Sequence, residues 1–511
     1  MLQDKKVLVE MQNITKIFGK VQANKDVFLT LHGGEVHSLL GENGAGKSTL
    51  MNILSGIYQP DSGFVFVEGQ KADITTPKVA ISLGIGMVHQ HFKLVDVLTA
   101  KENIIAGQKG MPFINGGKIS EEIRYLSERY GLEIDPDKKI YDMSVAEKQR
   151  VEILKVLYSG AKILILDEPT AVLTPQETKK LFEIINRMKK SGCAIVIITH
   201  KLNEVLEISD KITILRKGEY IETVQNKNLN SHELTDKMVG KSMNLSINRP
   251  ETKDKKLLLR VSGLTVNNEE RVKVLKDITF DLSSGEVLGV AGVAGSGQKE
   301  LCEAIAGLQK IHSGKIKFGK SNLVGKSPRE IIKMGISMSF VPEDRLGMGL
   351  IASMDIVDNV PLKEYQSQKG FFLSKKKSRE KAASLVEKLN ISTPDIYTKV
   401  SMLSGGNIQK VLLGREIETK PQIMITAYPA RGLDVGSAHL VYDLINDQKK
   451  SGVAVLFIGE DLDVLIEMCD RIMVLCNGKL IGTLDGHQAT KEDLGYMMAG
   501  NPLDKGVGDI S

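Results

Sequence analysis

The sequence predicts an α/β chain built from two tandem copies of one domain, each a largely parallel sheet flanked by helices. Three observations predict this. Stretches of the second half repeat the first at a kept spacing, short apolar runs alternate with helical patterns, and one such run leads into a glycine-rich loop.

The repeat is read first. KDVFLTLHGGEVHSLLGENGAGKSTL is matched by KDITFDLSSGEVLGVAGVAGSGQKEL, and MSVAEKQRVEILKVL by LSGGNIQKVLLGREI. Ser144 and Ser404 are 260 positions apart, as are Pro169 of ILILDEPT and Pro429 of MITAYPA. An offset kept across separate motifs marks a duplication. The polar stretch KSMNLSINRPETKDKKLLL parts the copies. The first copy is expected over residues 1–243, a linker over 244–256, the second copy over 257–500 and a loose tail over 501–511.

EVHSLL, KILILD and AIVIIT are short, mainly apolar runs suited to strands buried on both faces of a parallel sheet. QETKKLFEIINRMKKSG has helical spacing, with basic residues toward its end.

Composition bounds the function. A chain of 511 residues has room for two to four ordinary domains, and 42% hydrophobic with 26% charged residues suits a packed core. A formal net charge of +5 spread over this length suggests no basic patch, so nucleic acid is not an expected partner. Cys193, Cys302, Cys469 and Cys476 form no CxxC pair, which argues against a zinc site or disulfide framework and for reduced thiols. No apolar run approaches the roughly eighteen residues that cross a bilayer. The N-terminus MLQDKKVLVEMQNITKIF lacks a signal-peptide core. Action at a membrane would need another subunit to hold the chain there.

GENGAGKS fits the phosphate-loop pattern at Gly41, Gly46, Lys47 and Ser48, with Asn43, Gly44 and Thr49 in the same loop and first turn. It follows an apolar strand and precedes a helical segment, as that loop requires. Glycines let backbone N–H groups turn inward around phosphate oxygens, and a helix N-terminus adds its positive dipole end. Lys47 is placed to neutralise β- and γ-phosphates, and Ser48 to ligate Mg²⁺. In AKILILDEPT, a buried strand delivers Asp167 and Glu168 at its C-terminal edge. Asp167 suits Mg²⁺, and Glu168 suits orienting and deprotonating a water.

With these motifs, the repeat resembles the ABC transporter ATPase family over nearly the whole chain. The resemblance implies ATP and Mg²⁺ as cofactors, and a helical subdomain carrying a signature motif in each cassette. It makes Gln90 of GMVHQHFKL the residue contacting Mg²⁺ and the attacking water. It makes His200 of IVIITHKLNEV the switch on the γ-phosphate, and Phe18 the aromatic that stacks on adenine. His89 and His91 have no role in the motif.

The second half departs at most of these positions. Gly292, Gly295 and Gly297 remain, but Gln298 stands at the lysine position and Lys299 at the hydroxyl position. Ala427 and Tyr428 replace the two carboxylates, Glu460 stands where His200 stands, and Glu343 falls near the Gln90 position. The signature is distributed the other way. The second half has Leu403, Ser404, Gly405, Gly406 and Asn407, suited to grip a γ-phosphate at a helix N-terminus, whereas the first half has Val145 and Ala146 for the glycines.

In the family, each ATP lies between one P-loop and the opposite signature. The resemblance therefore joins the sound P-loop to the sound signature, completed by Asp434, and gathers the defects, including Thr174, in the other composite site. One site would hydrolyse ATP. A fused pair with one degenerate site resembles the import ATPases for simple sugars and nucleosides, through LSGGNIQK, ARGLDVG and VPEDR. MVHQHFKL and the run from MSVAEKQ to LTPQE place it nearer the nucleoside branch than the ribose or galactose type. The implied partners are two transmembrane permease subunits and an extracytoplasmic solute-binding protein. No second ATPase chain is needed, and the chain would sit at the cytoplasmic face of the membrane. The remote rival is a soluble double-cassette ATPase acting on ribosomes or DNA. The short linker and the lost site speak against it.

Overall fold

The computed structural model describes residues 6–503 apart from 20, 90–91, 108–115, 172, 200, 228, 241–245, 254, 269, 334–337, 343 and 364–374. The chain divides into two compact units, Met1–Asn244 and Leu245–Ser511.

The first unit has strands β1 (Val7–Phe18), β2 (Val21–His32), β3 (Glu35–Leu40), β4 (Ser62–Val67), β5 (Gln70–Ala72), β6 (Ile85–Val88), β7 (Ile163–Asp167), β8 (Ala194–Ile198), β9 (Lys211–Arg216) and β10 (Glu219–Gln225). They lie in one sheet in the order 5-4-1-2-10-9-3-8-7-6. Strands β6, β7, β8, β3 and β9 run parallel, with β3 between β8 and β9. Strands β1, β2, β4 and β5 pair antiparallel, and a single bridge from Glu219 to Lys25 joins the two portions. The helices are α1 (Lys47–Leu54), α2 (Pro77–Ser82), α3 (Ala100–Ile105), α4 (Gly116–Tyr130), α5 (Val145–Tyr158), α6 (Pro175–Lys190), α7 (Leu202–Ile208) and α8 (Ser231–Val239).

The parallel strands are apolar on both faces because each face meets a separate core. Leu164, Leu166, Ile195 and Ile197 pack with α5 and α6, while Ile163, Ile165, Val196 and Ile198 pack with α1 and the antiparallel strands. Helices α3, α4 and α5 pack on one another as a helical portion.

The second unit repeats the plan with β11 (Leu257–Asn267), β12 (Lys273–Ser283), β13 (Val287–Ala291), β14 (Ile311–Phe318), β15 (Ser321–Asn322), β16 (Met338–Val341), β17 (Ile423–Ala427), β18 (Ala454–Ile458), β19 (Arg471–Cys476) and β20 (Lys479–Asp485). Its helices are α9 (Gln298–Ile305), α10 (Pro328–Lys333), α11 (Ile356–Asn359), α12 (Lys375–Lys388), α13 (Gly405–Glu418), α14 (Val435–Lys450), α15 (Leu462–Met468) and α16 (Lys491–Met498). Here the strands form two sheets, 12-11-14-15 and 16-17-18-13-19-20. The difference is slight: Lys276 N donates to Gly478 O at 2.8 Å, as Lys25 N does to Gly218 O at 2.8 Å in the first unit.

The polar stretch before β11 is strapped to the second unit. Arg249 Nη1 donates to Ile466 O at 3.2 Å, Asn446 Nδ2 to Asn248 O at 2.8 Å, and Thr252 Oγ1 to Gly285 O at 2.5 Å. The four cysteines are buried free thiols. Among the described residues no helix is long and apolar enough to cross a membrane.

Candidate functional site

In the loop after β3, Gly41 and Gly46 leave no room for a side chain. A Cβ on Gly41 would lie 2.4 Å from Leu215 O, and one on Gly46 2.2 Å from Ala23 O. Gly44 and Gly46 have φ of +82° and +93°, in the left-handed region that favours glycine. Gly46 caps α1, so the turn opens directly into a helix N-terminus. Asn43 and Ser48 are exposed on this loop and Thr49 is half-buried. Lys47 is only 7% exposed, and its amine donates back to Gly41 O at 2.5 Å and Glu42 O at 2.9 Å. Burial pushes this amine below the usual lysine range, although the charges of Glu168, Asp167 and Glu42 oppose the shift.

Lys47, Asp167 and Glu168 are thus brought within electrostatic reach of one another. Burial, then the charge of Glu168, raises the Asp167 carboxyl to about 6 against the pull of Lys47. Two neighbouring carboxylates within the field of one lysine, and a serine hydroxyl at the helix start, make a hard-oxygen donor set that suits Mg²⁺. Glu168 stands just past β7 at φ +45°, its amide donating to Ile198 O at 2.9 Å. The segment after it is braced from two sides. Gln149 Nε2 on α5 donates to Pro169 O at 2.6 Å, and Lys201 Nζ to Thr170 O at 3.2 Å. Phe18, at the end of β1, is 42% exposed and meets Tyr58 edge-on with centroids 5.2 Å apart. Gln90 and His200, expected at this site, lie outside the described residues, as do His91 and Glu343.

The second unit keeps the same backbone with different side chains. A Cβ on Gly292 would lie 2.6 Å from Leu475 O, and Gly295 and Gly297 have φ of +83° and +105°. Gln298 takes the buried position of Lys47, with Nε2 donating to Val293 O at 3.2 Å. Lys299 projects outward and lies 3.9 Å from Glu303. A cavity of about 270 Å³ lined by Gln298, Ala427, Tyr428 and Ile458 occupies the region that carboxylates flank in the first unit. Burial, then the charge of Glu460, raises the Tyr428 hydroxyl to about 12, so it stays neutral and can neither bind a cation as an anion nor take a proton. Glu460 pairs with Arg431 at 3.3 Å.

The two signature helices differ in how their N-termini are closed. Ser144 caps α5 in a full capping box: Glu147 Oε2 accepts Ser144 N at 2.7 Å, and Lys138 holds the other oxygen at 2.8 Å. The first signature therefore presents a carboxylate and the Val145 side chain. Ser404 caps α13 without a carboxylate. Asn407 stands in its place, its Nδ2 donating to Ser404 Oγ at 2.9 Å. A Cβ on Gly405 would meet only ordinary contacts, Arg345 Nη1 nearest at 3.6 Å, whereas one on Gly406 would lie 2.7 Å from Ser437 Oγ. Asp434 caps α14, accepting Ser437 N at 2.8 Å and Ser437 Oγ at 2.7 Å. Thr174 caps α6 in a box closed by Glu177. The box of Ser144 and Glu147 is readable in sequence as S-x-x-E. The braces from Gln149 and Lys201 join residues far apart along the chain, and no local pattern announces them.

The model of the ABC transporter family matches residues 24–171 and 275–429, which include both phosphate loops and both strand-end motifs. The chain is 42% identical to the guanosine import ATP-binding protein NupO of Bacillus subtilis (strain 168), over 97% of this chain and 98% of that one. It is 42% identical to the nucleoside import ATP-binding protein NupA of Lactococcus lactis subsp. cremoris (strain MG1363), over 98% and 99%. It is 37% identical to a glucose import ATP-binding protein of Haloferax volcanii, over 96% of both. A solved complex containing an archaeal ribosome recycling factor superposes with a TM-score of 0.59 at 18% identity, over 90% of this chain and 87% of that one, a likeness of fold alone. Two matched cassettes and full-length relatives lead to one conclusion: the chain belongs to the ABC transporter family.

Proposed function

We propose that this chain is the ATP-hydrolysing subunit of an importer that drives nucleoside uptake through a separate membrane permease, and that one of its two composite sites does the hydrolysis. The observation that carries the single-site reading is the contrast on one backbone: Lys47, Asp167 and Glu168 share a field in the first unit, where the second has Gln298, Ala427 and a neutral Tyr428. Lys47 would leave its loop carbonyls for the β- and γ-phosphates. Mg²⁺, held by Ser48 and Asp167, would supply charge neutralisation on the phosphates. Glu168 would orient the water and accept its proton, with Gln90 and His200 assisting. Ser404, Gly405, Gly406 and Asn407 would engage the γ-phosphate from the second cassette, with Asp434 beside them, and Phe18 would stack on adenine.

Nucleosides are favoured as cargo because the relatives at 42% identity are named for guanosine and nucleoside import. A simple sugar is the second reading, since relatives at 37% are named for glucose and for galactose. The proposed partners are two permease subunits and a solute-binding protein outside the membrane, with this chain at the cytoplasmic face. Uptake of labelled guanosine, in cells with and without the chain and with ribose and galactose as competitors, tests the cargo. Loss of uptake on deletion without competition by the sugars is expected. Unchanged guanosine uptake with a fall in ribose or galactose uptake would overturn the nucleoside assignment.

A further inference from the structure

We propose that helix α5, although its signature is degenerate, braces the catalytic segments of its own cassette, with Glu152 as the positioning residue for the loop that carries Gln90. The inference rests on the ATPase reading above.

Three side chains spaced three apart on α5 reach outward to backbone. Gln149 holds Pro169 O, next to Glu168, at 2.6 Å. Glu152 Oε1 accepts the amide of Lys93 at 2.6 Å, and Lys155 Nζ donates to the Lys93 carbonyl at 3.1 Å. Residues three apart share a helix face, so one face grips the segment after β7 and the segment three residues beyond Gln90. Glu152 is only 5% exposed. A carboxylate at such a depth is costly unless its bonds are made, and a bond from an amide to a charged acceptor is stronger than a neutral one.

Among the described residues, the second unit shows no such brace at the corresponding positions. Gln409 is buried with neither side-chain oxygen nor nitrogen bonded. Leu412 packs with its methyl groups near Gly349, and Arg415 turns to Glu416 at 2.7 Å. Among the described residues, the grip is present in the cassette that has carboxylates to position and missing from the one that does not.

The test is steady-state ATPase activity of the chain in its assembled complex, with kcat referred to the number of sites that bind ATP. The variants are Glu152→Leu, which installs the second unit's residue, Glu152→Gln, which keeps an acceptor oxygen, and Glu168→Gln. A misplacement of about 1 Å costs on the order of a hundredfold. Glu152→Leu is therefore expected to lower kcat by about ten- to a hundredfold with KM changed less than about threefold, and Glu152→Gln to restore most of the rate. Should Glu152→Leu fail to fold, Lys155→Met reads the same grip, with an expected several-fold fall in kcat. Loss of activity in Glu168→Gln with undiminished kcat in Glu152→Leu, or in Lys155→Met where that variant stands in, overturns this inference alone. A wild-type rate in Glu168→Gln overturns it together with the reading that Glu168 does the hydrolysis.

Discussion

Glu168 and Tyr428 stand on the same backbone. Their φ values are +45° and +51°, and their amides donate to Ile198 O at 2.9 Å and Ile458 O at 2.8 Å, the last residues of the neighbouring parallel strands β8 and β18. A non-glycine residue held in the left-handed region costs on the order of 1–3 kcal/mol and persists only where the surroundings enforce it. Both units enforce it, but only one places a carboxylate there. The second unit thus repeats the first unit's backbone at this position with a phenol where the first has a carboxylate.

The Asp167 carboxyl yields a pH prediction. Burial and Glu168 raise it to about 6 in the folded chain, whereas an unfolded aspartate titrates near about 3.9. Between these values the folded state keeps a proton that the unfolded state has released. This group therefore lowers stability as pH rises through that window, with the full penalty above it and none below it. Without nucleotide, Asp167→Asn is expected to melt higher than wild type near pH 7, and the gap to close toward about pH 4. Scanning calorimetry across that range checks it. Equal melting temperatures near pH 7 would show that the folded site carries no such strain.

The two signature serines separate structure from function. Each caps its helix, Ser144 by bonding Glu147 N at 3.3 Å and Ser404 by bonding Asn407 N at 3.5 Å. Replacing either by alanine is expected to cost about 0.5–2 kcal/mol of stability. Only Ser404→Ala is expected to lower ATPase activity, by about tenfold or more, since the γ-phosphate is proposed to engage the second signature alone. Melting curves and ATPase assays of both variants decide this. A comparable loss of activity in Ser144→Ala would mean that the first signature also works on nucleotide.

Much of the architecture was legible because it rests on local patterns. The kept offset between Ser144 and Ser404 revealed the duplication, and the strands before Gly41 and Glu168 announced themselves as apolar runs. The antiparallel portion was harder to read. Strand β1 pairs with β2 and β4 through repeated register shifts, so its alternation of buried and exposed residues is broken. Within the site, the identities at Lys47, Asp167 and Gln298 follow from motif position. The bonds that hold them do not: Glu152 to Lys93 spans 59 residues and Gln149 to Pro169 spans 20. Glu147 lay between the two kinds, since its capping box was written in the sequence beside the two residues that replace the glycines.

Whether hydrolysis belongs to one site is measured most directly by the steady-state ATPase activity of Glu168→Gln and Tyr428→Phe in the assembled complex. Removing a general base costs about 10²–10⁴-fold, so Glu168→Gln should lose nearly all turnover. Tyr428→Phe should stay within about twofold of wild type, because a hydroxyl that remains neutral and has no carboxylate beside it at position 427 has no part in water activation. Comparable losses in both variants would contradict the single-site account.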